Sequence, residues 1–277
     1  LFDWPGLQAV VINIDDPKGV LLANKLQKTG QVKVWTYATQ KQDVKTTSQH
    51  IQAVKVEYAN RGMQFEIQLG DKFVSFNTTM VGHYNVSNLT GVIACLCALE
   101  HRLDDAAQAC MNLPSVPGRM ELFGTTGDPL VVVDFAHTPE ALEGLLINAR
   151  EITRGRLTVV FGCGGDRDQA KRPLMGDIAS RRADMVIVTS DNPRSEDPHR
   201  IITEVVSGVE ANLAMVSSIV NRENAIESAI LGAKRGDMVV IAGKGHETTQ
   251  EINGVKTPSS DVAIAAKALR VREEKTK

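Results

Sequence analysis

The stretch Asp184-Met185-Val186-Ile187-Val188-Thr189-Ser190-Asp191-Asn192-Pro193-Arg194-Ser195-Glu196-Asp197-Pro198 decides the fold. Its first part is a short apolar run rich in β-branched residues, which reads as a buried strand. Next comes a polar turn with charges of both signs, and Pro198-His199-Arg200-Ile201-Ile202 then opens a helix. A strand, a polar turn and a helix in that order belong to a parallel α/β sheet, where ligands bind beyond the carboxyl ends of the strands. Asp191 or Ser195 capping the helix, with Pro193 shaping the turn, is the plain structural reading. One Asp, one Asn and one Arg between positions 191 and 194 exceed what a cap needs. A ligand carrying both carboxylate and ammonium groups would use all three.

The same rhythm extends outward. Residues 130–133, 157–161, 185–189 and 238–242 read as strands, with a weaker one at 214–216. Helical patterns occupy 139–150, 169–182, 199–210, 222–234 and 261–271, and Asn253-Gly254 marks a short hairpin. Short apolar runs alternating with helices predict a Rossmann-like, mostly parallel, doubly wound domain. Upstream, residues 8–14 and 32–37 read as strands around a helix at 18–28. Alternating runs at 51–58, 63–69 and 72–77, separated by Asn60-Arg61-Gly62 and Gly70-Asp71, predict a small antiparallel meander. Helices follow from about 82 to 101 and from 104 to 111. Two prolines and a glycine in Leu113-Pro114-Ser115-Val116-Pro117-Gly118 place a domain boundary there, dividing the chain into 1–117 and 118–277.

Composition narrows the function classes. A length of 277 residues allows about two domains. A net charge of −2 gives no reason to expect nucleic acid or an anionic membrane as partner. No apolar stretch approaches the ~20 residues of a membrane span. The four cysteines, Cys95, Cys97, Cys110 and Cys163, form no Cys-x-x-Cys pair, so a reducing cytoplasm is expected and no metal site within the chain. Leu1-Phe2-Asp3-Trp4 begins in mid-pattern without an initiator Met, so the chain is expected to be a fragment.

Polar clusters follow four of the predicted strands: 134–139, 162–168, 190–197 and 243–247. In a parallel sheet they converge on one edge, bringing together Asp134, His137, Arg167, Asp191, Asn192, Arg194, Lys244, His246 and Glu247. Each cluster has a weaker reading alone. Gly162-Cys163-Gly164-Gly165 lacks the third glycine of a dinucleotide fingerprint, because Arg167 stands there. Gly243-Lys244-Gly245 lacks the upstream glycine and the following Ser/Thr of a P-loop, though it offers N–H groups and an ammonium to an anion. Asp134 is a candidate cap for the helix at Pro139. Two arginines suit carboxylates, each able to grip one bidentately. Asp191 and Glu247 suit an ammonium group. An amino acid with more than one charged centre fits this inventory.

With these motifs assembled, the chain resembles the Mur ligases of peptidoglycan synthesis along its whole length. The resemblance rests on Tyr84-Asn85-Val86-Ser87-Asn88, Gly118-Arg119-Met120-Glu121, residues 134–139, 161–173 and 190–194, and Ala242-Gly243-Lys244-Gly245-His246-Glu247. It implies an ATP- and Mg²⁺-dependent ligase that phosphorylates a peptide carboxylate and lets an amine displace the phosphate. It implies that 1–117 is the later part of a central ATP-binding domain and 118–277 an amino-acid-binding domain. Asn85 and Asn88 then match an adenine contact, Arg119 a phosphate contact, Asp134 a ribose ligand, and His137 a group close to the nucleotide. Arg167, Asp191, Asn192, Arg194, Gly243 and Glu247 match a meso-diaminopimelate pocket, since the Asp-Asn-Pro-Arg form is the one associated with that amino acid. The implied second substrate is UDP-N-acetylmuramoyl-L-alanyl-D-glutamate, and a monomer is expected. The family's P-loop, Mg²⁺ ligands and carbamylated lysine would fall upstream of Leu1, so this stretch is expected not to turn over alone. Competing readings are a lysine-adding Mur ligase, a folylpolyglutamate synthase-like ligase, a nicotinamide-dependent oxidoreductase, and an isolated amino-acid-binding module.

Overall fold

A computed structural model describes residues 4–40, 49–59, 62–125 and 127–276. They fall into two compact units, Leu1–Pro114 and Ser115–Lys277.

In the first unit, β1 (Ala9–Asn13) leads into α1 (Pro17–Thr29). Asp16 caps that helix by accepting from Lys18 N, Pro17 stands in its first turn where no N–H is needed, and Gly30 ends it in the left-handed conformation. Strands β2 (Lys33–Ala38), β3 (His50–Ala59), β4 (Gly62–Leu69) and β5 (Lys72–Thr78) follow, then α2 (His83–Ala98) and α3 (Leu103–Met111). The three alternating runs do form an antiparallel set, but not a separate meander. All five strands make one mixed sheet in the order β1-β2-β3-β4-β5, with β2 pairing parallel to both β1 and β3. Alternation records which side chains are buried and is silent about which edge finds a partner. An unpaired edge on β3 would leave its N–H and C=O groups needing one, and β2 supplies it. Of the predicted turn between β3 and β4, Asn60 and Arg61 lie outside the described residues. Val10, Ile12 and Val34 pack with Ala23 and Leu26 of α1. Trp35, Ile51, Phe65, Ile67 and Phe76 pack with Val86, Leu89 and Ile93 of α2 on the opposite face.

In the second unit, β6 (Glu121–Phe123), β7 (Leu130–Asp134), β8 (Leu157–Phe161), β9 (Met185–Val188), β10 (Met215–Ser218) and β11 (Met238–Ala242) form a sheet ordered β10-β9-β8-β11-β7-β6. All neighbours are parallel except β6, an antiparallel edge strand too short to show a sequence signal. Every residue of β8 and β11 is buried, as expected where helices cover both faces. Helices α4 (Pro139–Ile152), α5 (Lys171–Arg182) and α6 (Pro198–Val206) pack side by side on one face. Helices α7 (Arg222–Gly232) and α8 (Asp261–Thr276) cover the other, where Ile226, Ile230, Ala265 and Leu269 meet Val131, Val160, Val239 and Ile241. Register aligns the strand ends: Ala242 faces Asp134, and Phe161 faces Val188. A hairpin of β12 (Thr249–Ile252) and β13 (Val255–Pro258) turns through Asn253 and Gly254, both at positive φ as a type I′ turn requires.

Candidate functional site

The four polar loops leave the same edge of the second unit's sheet, and the structure joins most of them directly. The loop after β9 is the centre. Gly165 N donates to Asn192 O (2.9 Å), and Arg194 Nη1 donates to Gly165 O (2.6 Å), tying it to the loop after β8. The approach is so close that a Cβ on Gly165 would lie 1.9 Å from Pro193 O. That glycine serves loop contact rather than a dinucleotide. A Cβ on Gly164 would lie 3.0 Å from Arg194 Nη1 and 3.7 Å from Arg167 Cγ, so the two arginines flank one backbone position. Arg167 is exposed and Arg194 half-buried. Arg194 takes a left-handed φ of 53°, uncommon for a residue with a side chain.

The loop after β11 supplies Gly243, Lys244 and Glu247. Lys244 is fully buried, and its ammonium donates to Thr249 O (2.6 Å), Glu247 Oε2 (3.1 Å) and Asn192 Oδ1 (3.3 Å). An ammonium has three N–H groups, so these acceptors engage all of them. The expectation that Lys244 offers its charge to a bound anion is therefore corrected: it holds the pocket together. Glu247 also accepts from Asn192 Nδ2 (3.0 Å). An internal ammonium thus already sits at one of the carboxylates read as an ammonium site. Asp191 is buried, and burial pushes its carboxyl above the ordinary range while Arg222 and Lys244 pull the other way. At Gly243, φ is 116° and a Cβ would stand 2.7 Å from Asp191 Oδ2, so no larger residue fits there.

The alternative capping assignments give way to neighbours. Asp197, not Asp191 or Ser195, caps α6 by accepting from His199 N (3.0 Å). Thr138, not Asp134, caps α4. Asp134 is buried; its Oδ2 accepts from Met120 N (2.8 Å) and its Oδ1 from Ala136 N (2.7 Å). Beside it lies a cationic and aromatic group. The Arg119 guanidinium stands 4.6 Å over the Phe135 ring, His137 meets that ring edge-on at 4.6 Å, and His246 lies 5.5 Å away. His137 Nδ1 donates to Phe135 O (2.8 Å). Arg119, His137 and His246 are exposed. In the first unit, Asn85 is buried with its Nδ2 donating to Val81 O (2.8 Å), whereas Asn88 is exposed on the same helix.

Sequence reasoning missed the groups underneath. Arg222 and Asp261 form a fully buried fork, with contacts at 2.7 Å, and Arg222 also donates to Ser190 O and Ala242 O at the ends of β9 and β11. Arg172, also fully buried, grips both oxygens of Glu196 (2.9 and 2.8 Å), one of Glu204 (2.6 Å) and Gly164 O (3.2 Å). It holds the Glu196 carboxyl well below its usual range, at about 2. In the sequence Arg172 and Arg222 look like ordinary charges in the first turn of a helix, and no local pattern marks their distant partners. Among the described residues, no group of three or more His, Cys, Asp or Glu side chains is placed to hold a metal ion, and no helix is long and apolar enough to cross a membrane.

A parallel α/β sheet whose strand-end loops assemble cationic and acidic groups at one edge has the architecture of a doubly wound α/β domain. Comparison with known proteins specifies it. Residues 118–245 match the glutamate ligase domain of Mur ligases, and residues 1–96 match the Mur ligase middle domain. The chain belongs to the Mur ligase family. It is 46% identical over 275 residues to the UDP-N-acetylmuramoyl-L-alanyl-D-glutamate–2,6-diaminopimelate ligase of Acidovorax sp. (strain JS42), covering 98% of this chain and 53% of that one. It is 44% identical to the protein of the same name from Chromobacterium violaceum, covering 97% and 53%. A solved structure of a ligase of that name superposes with a TM-score of 0.71 at 35% identity, covering 96% of this chain and 54% of the other. A MurF ligase from Thermotoga maritima in complex with ADP shares the fold, with a TM-score of 0.65 at 15% identity over 99% of this chain and 55% of that one. The chain spans about half the length of the curated relatives it matches.

Proposed function

We propose that the chain is part of an ATP-dependent ligase that joins meso-diaminopimelate to UDP-N-acetylmuramoyl-L-alanyl-D-glutamate in peptidoglycan precursor synthesis. The observation that carries this reading is the loop 191–194. It sets the Arg194 guanidinium beside Arg167 and ties Asn192 to Glu247, in a chain 46% identical to a relative bearing that name. Arg194 and Arg167 receive carboxylate, because a planar fork matches it bidentately. Asp191 and Glu247 supply the negative field for an ammonium, with Lys244 and Asn192 fixing Glu247's direction. Gly243 keeps the pocket floor free of a side chain.

The second unit is then the amino-acid-binding domain and the first unit part of the ATP-binding domain. ATP supplies the phosphoryl group that activates the peptide carboxylate, and Mg²⁺ offsets its charge. Arg119 and His137 fit an anionic, planar ligand, because both are exposed and gathered on the Phe135 ring. Asp134, held in place by the N–H groups of Met120 and Ala136, is the carboxylate read as the ribose ligand. Asn88 is better placed than Asn85 to meet an adenine edge, because the Asn85 amide already bonds within its own unit. We read the protein as a cytoplasmic monomer acting on small molecules.

A lysine-adding ligase would leave Arg194 without a second carboxylate. Calorimetric titration of the chain with meso-diaminopimelate and with L-lysine separates the two. Losing a hydrogen bond to a charged group costs about 1.5–3 kcal/mol, so the first should bind about ten- to a hundredfold more tightly. Equal affinities, or binding of neither, would overturn the assignment.

A further inference from the structure

The hairpin β12–β13 lies beyond residues 118–245 matched by the family's domain model, yet it is bonded along the whole loop 191–194. Gln250 Nε2 donates to Asp191 O (2.6 Å) and Glu251 N to Asn192 Oδ1 (2.9 Å). Arg194 N donates to Glu251 O (3.1 Å), and Asn253 N donates to Arg194 O (2.7 Å). Arg194 and Ile252 form an isolated parallel bridge, so the loop touches β12 at this one position in strand-like pairing. The two backbone bonds on Arg194 bracket the residue whose φ is 53°. A left-handed conformation is unfavourable for a residue with a Cβ and persists where its surroundings over-determine it. The hairpin supplies that constraint on one side, and the bond from Arg194 Nη1 to Gly165 O supplies it on the other.

We propose that the hairpin is a specificity-positioning element, and that Gln250 is its key side chain. By holding the backbone of Arg194 it aims the guanidinium, and so sets how strongly a second carboxylate on the amino acid is favoured. This rests on the reading of loop 191–194 as the diaminopimelate site. Gln250 is half-buried and its side-chain amide holds the Asp191 carbonyl at the start of the loop, while Glu251 and Asn253 of the same hairpin hold the Arg194 backbone, so the hairpin positions the loop rather than the ligand.

The test is calorimetry on the full chain with meso-diaminopimelate and L-lysine, comparing the parent with Gln250→Leu and Asn253→Pro. Leu keeps the size of Gln250 and removes its donor. Pro removes the Asn253 N–H and forbids the positive φ of the turn. Each variant should lower the preference for meso-diaminopimelate over lysine about fivefold or more, while ATP affinity stays within twofold. A merely structural role would weaken both amino acids alike. If Asn253→Pro does not fold, the size-conserving change Gln250→Leu carries the test alone. A parent without preference for meso-diaminopimelate would defeat the underlying site reading. A parent with the preference, retained in folded variants, would defeat the hairpin inference.

Discussion

The loop after β9 and the loop after β7 leave the same edge of one sheet, but their side chains are engaged differently. After β9, Asp191 is buried, Asn192 uses both its amide groups within the protein, and Arg194 is pinned through its backbone and one guanidinium N–H. Two buried arginines, Arg172 and Arg222, lie beneath and bond its neighbours. After β7, Asp134 and Ala136 are buried, whereas Arg119, His137 and His246 are exposed around a half-buried Phe135. The first loop is organised before any ligand arrives, which lowers the ordering cost of binding. The second offers charged and aromatic surface that a ligand can still rearrange. A site that must tell one amino acid from another gains from the first arrangement. A site that holds a nucleotide common to a whole family has less need of it.

The contrast can be broken most severely at Arg222. Replacing it with Ala leaves Asp261 buried without a partner and frees the carbonyls of Ser190 and Ala242. Breaking such a pair costs about 3–5 kcal/mol, and urea unfolding of the chain should register it. Replacing both partners, Arg222→Met with Asp261→Leu, should restore most of that loss; if the double variant is no better than the single one, the pair is not the cause.

Acid tests the other buried arginine. The Glu196 carboxyl sits at about 2 in the fold against an ordinary 4.5. A lowered carboxyl stabilises the fold while it is ionised. That contribution is whole above about pH 4.5 and disappears as pH falls toward 2. In Arg172→Met, NMR titration should find Glu196 back near its ordinary value, with acid unfolding beginning at higher pH. A Glu196 resonance that still titrates near 2 would show that Arg172 is not what holds it down.

Arg194→Lys sharpens the comparison at the pocket itself. A point charge replaces a planar fork, so affinity for meso-diaminopimelate should fall about ten- to a hundredfold with stability little changed. Unaltered affinity would make Arg194 a scaffold residue only. The smallest effect is expected at Phe135→Leu. Losing one exposed cation–π contact with Arg119 is worth about 0.5–1 kcal/mol. ATP affinity should drop about two- to fivefold by calorimetry while meso-diaminopimelate binding holds. A fall in both would mean that the two loops are not independent.

Much of this molecule was legible before any coordinates. The parallel rhythm after residue 118, the Asn253-Gly254 turn and the shared edge of four polar loops all follow from local pattern. Periodicity, turn chemistry and the geometry of parallel strands are short-range rules. The mixed sheet of the first unit was not legible, because alternation does not name a strand's neighbour. Nor was the antiparallel β6, whose three residues carry no period.

The candidate site divides along the same line. Residue types and order along the chain placed Asp191, Asn192, Arg194 and Glu247 in one pocket and suggested a zwitterion. What each group does there was decided by contacts between residues far apart in the chain. Lys244 turned from a ligand group into an internal tie because its three acceptors come from Asn192, Glu247 and Thr249. Arg172 and Arg222 became the foundations of the loop because carboxylates 24 and 39 positions away meet their buried guanidinium groups. Sequence by itself determines which charges a chain carries and which strands end beside them. Only the packed structure determines which charges are already neutralised, because burial makes pairing obligatory and folding chooses the partner.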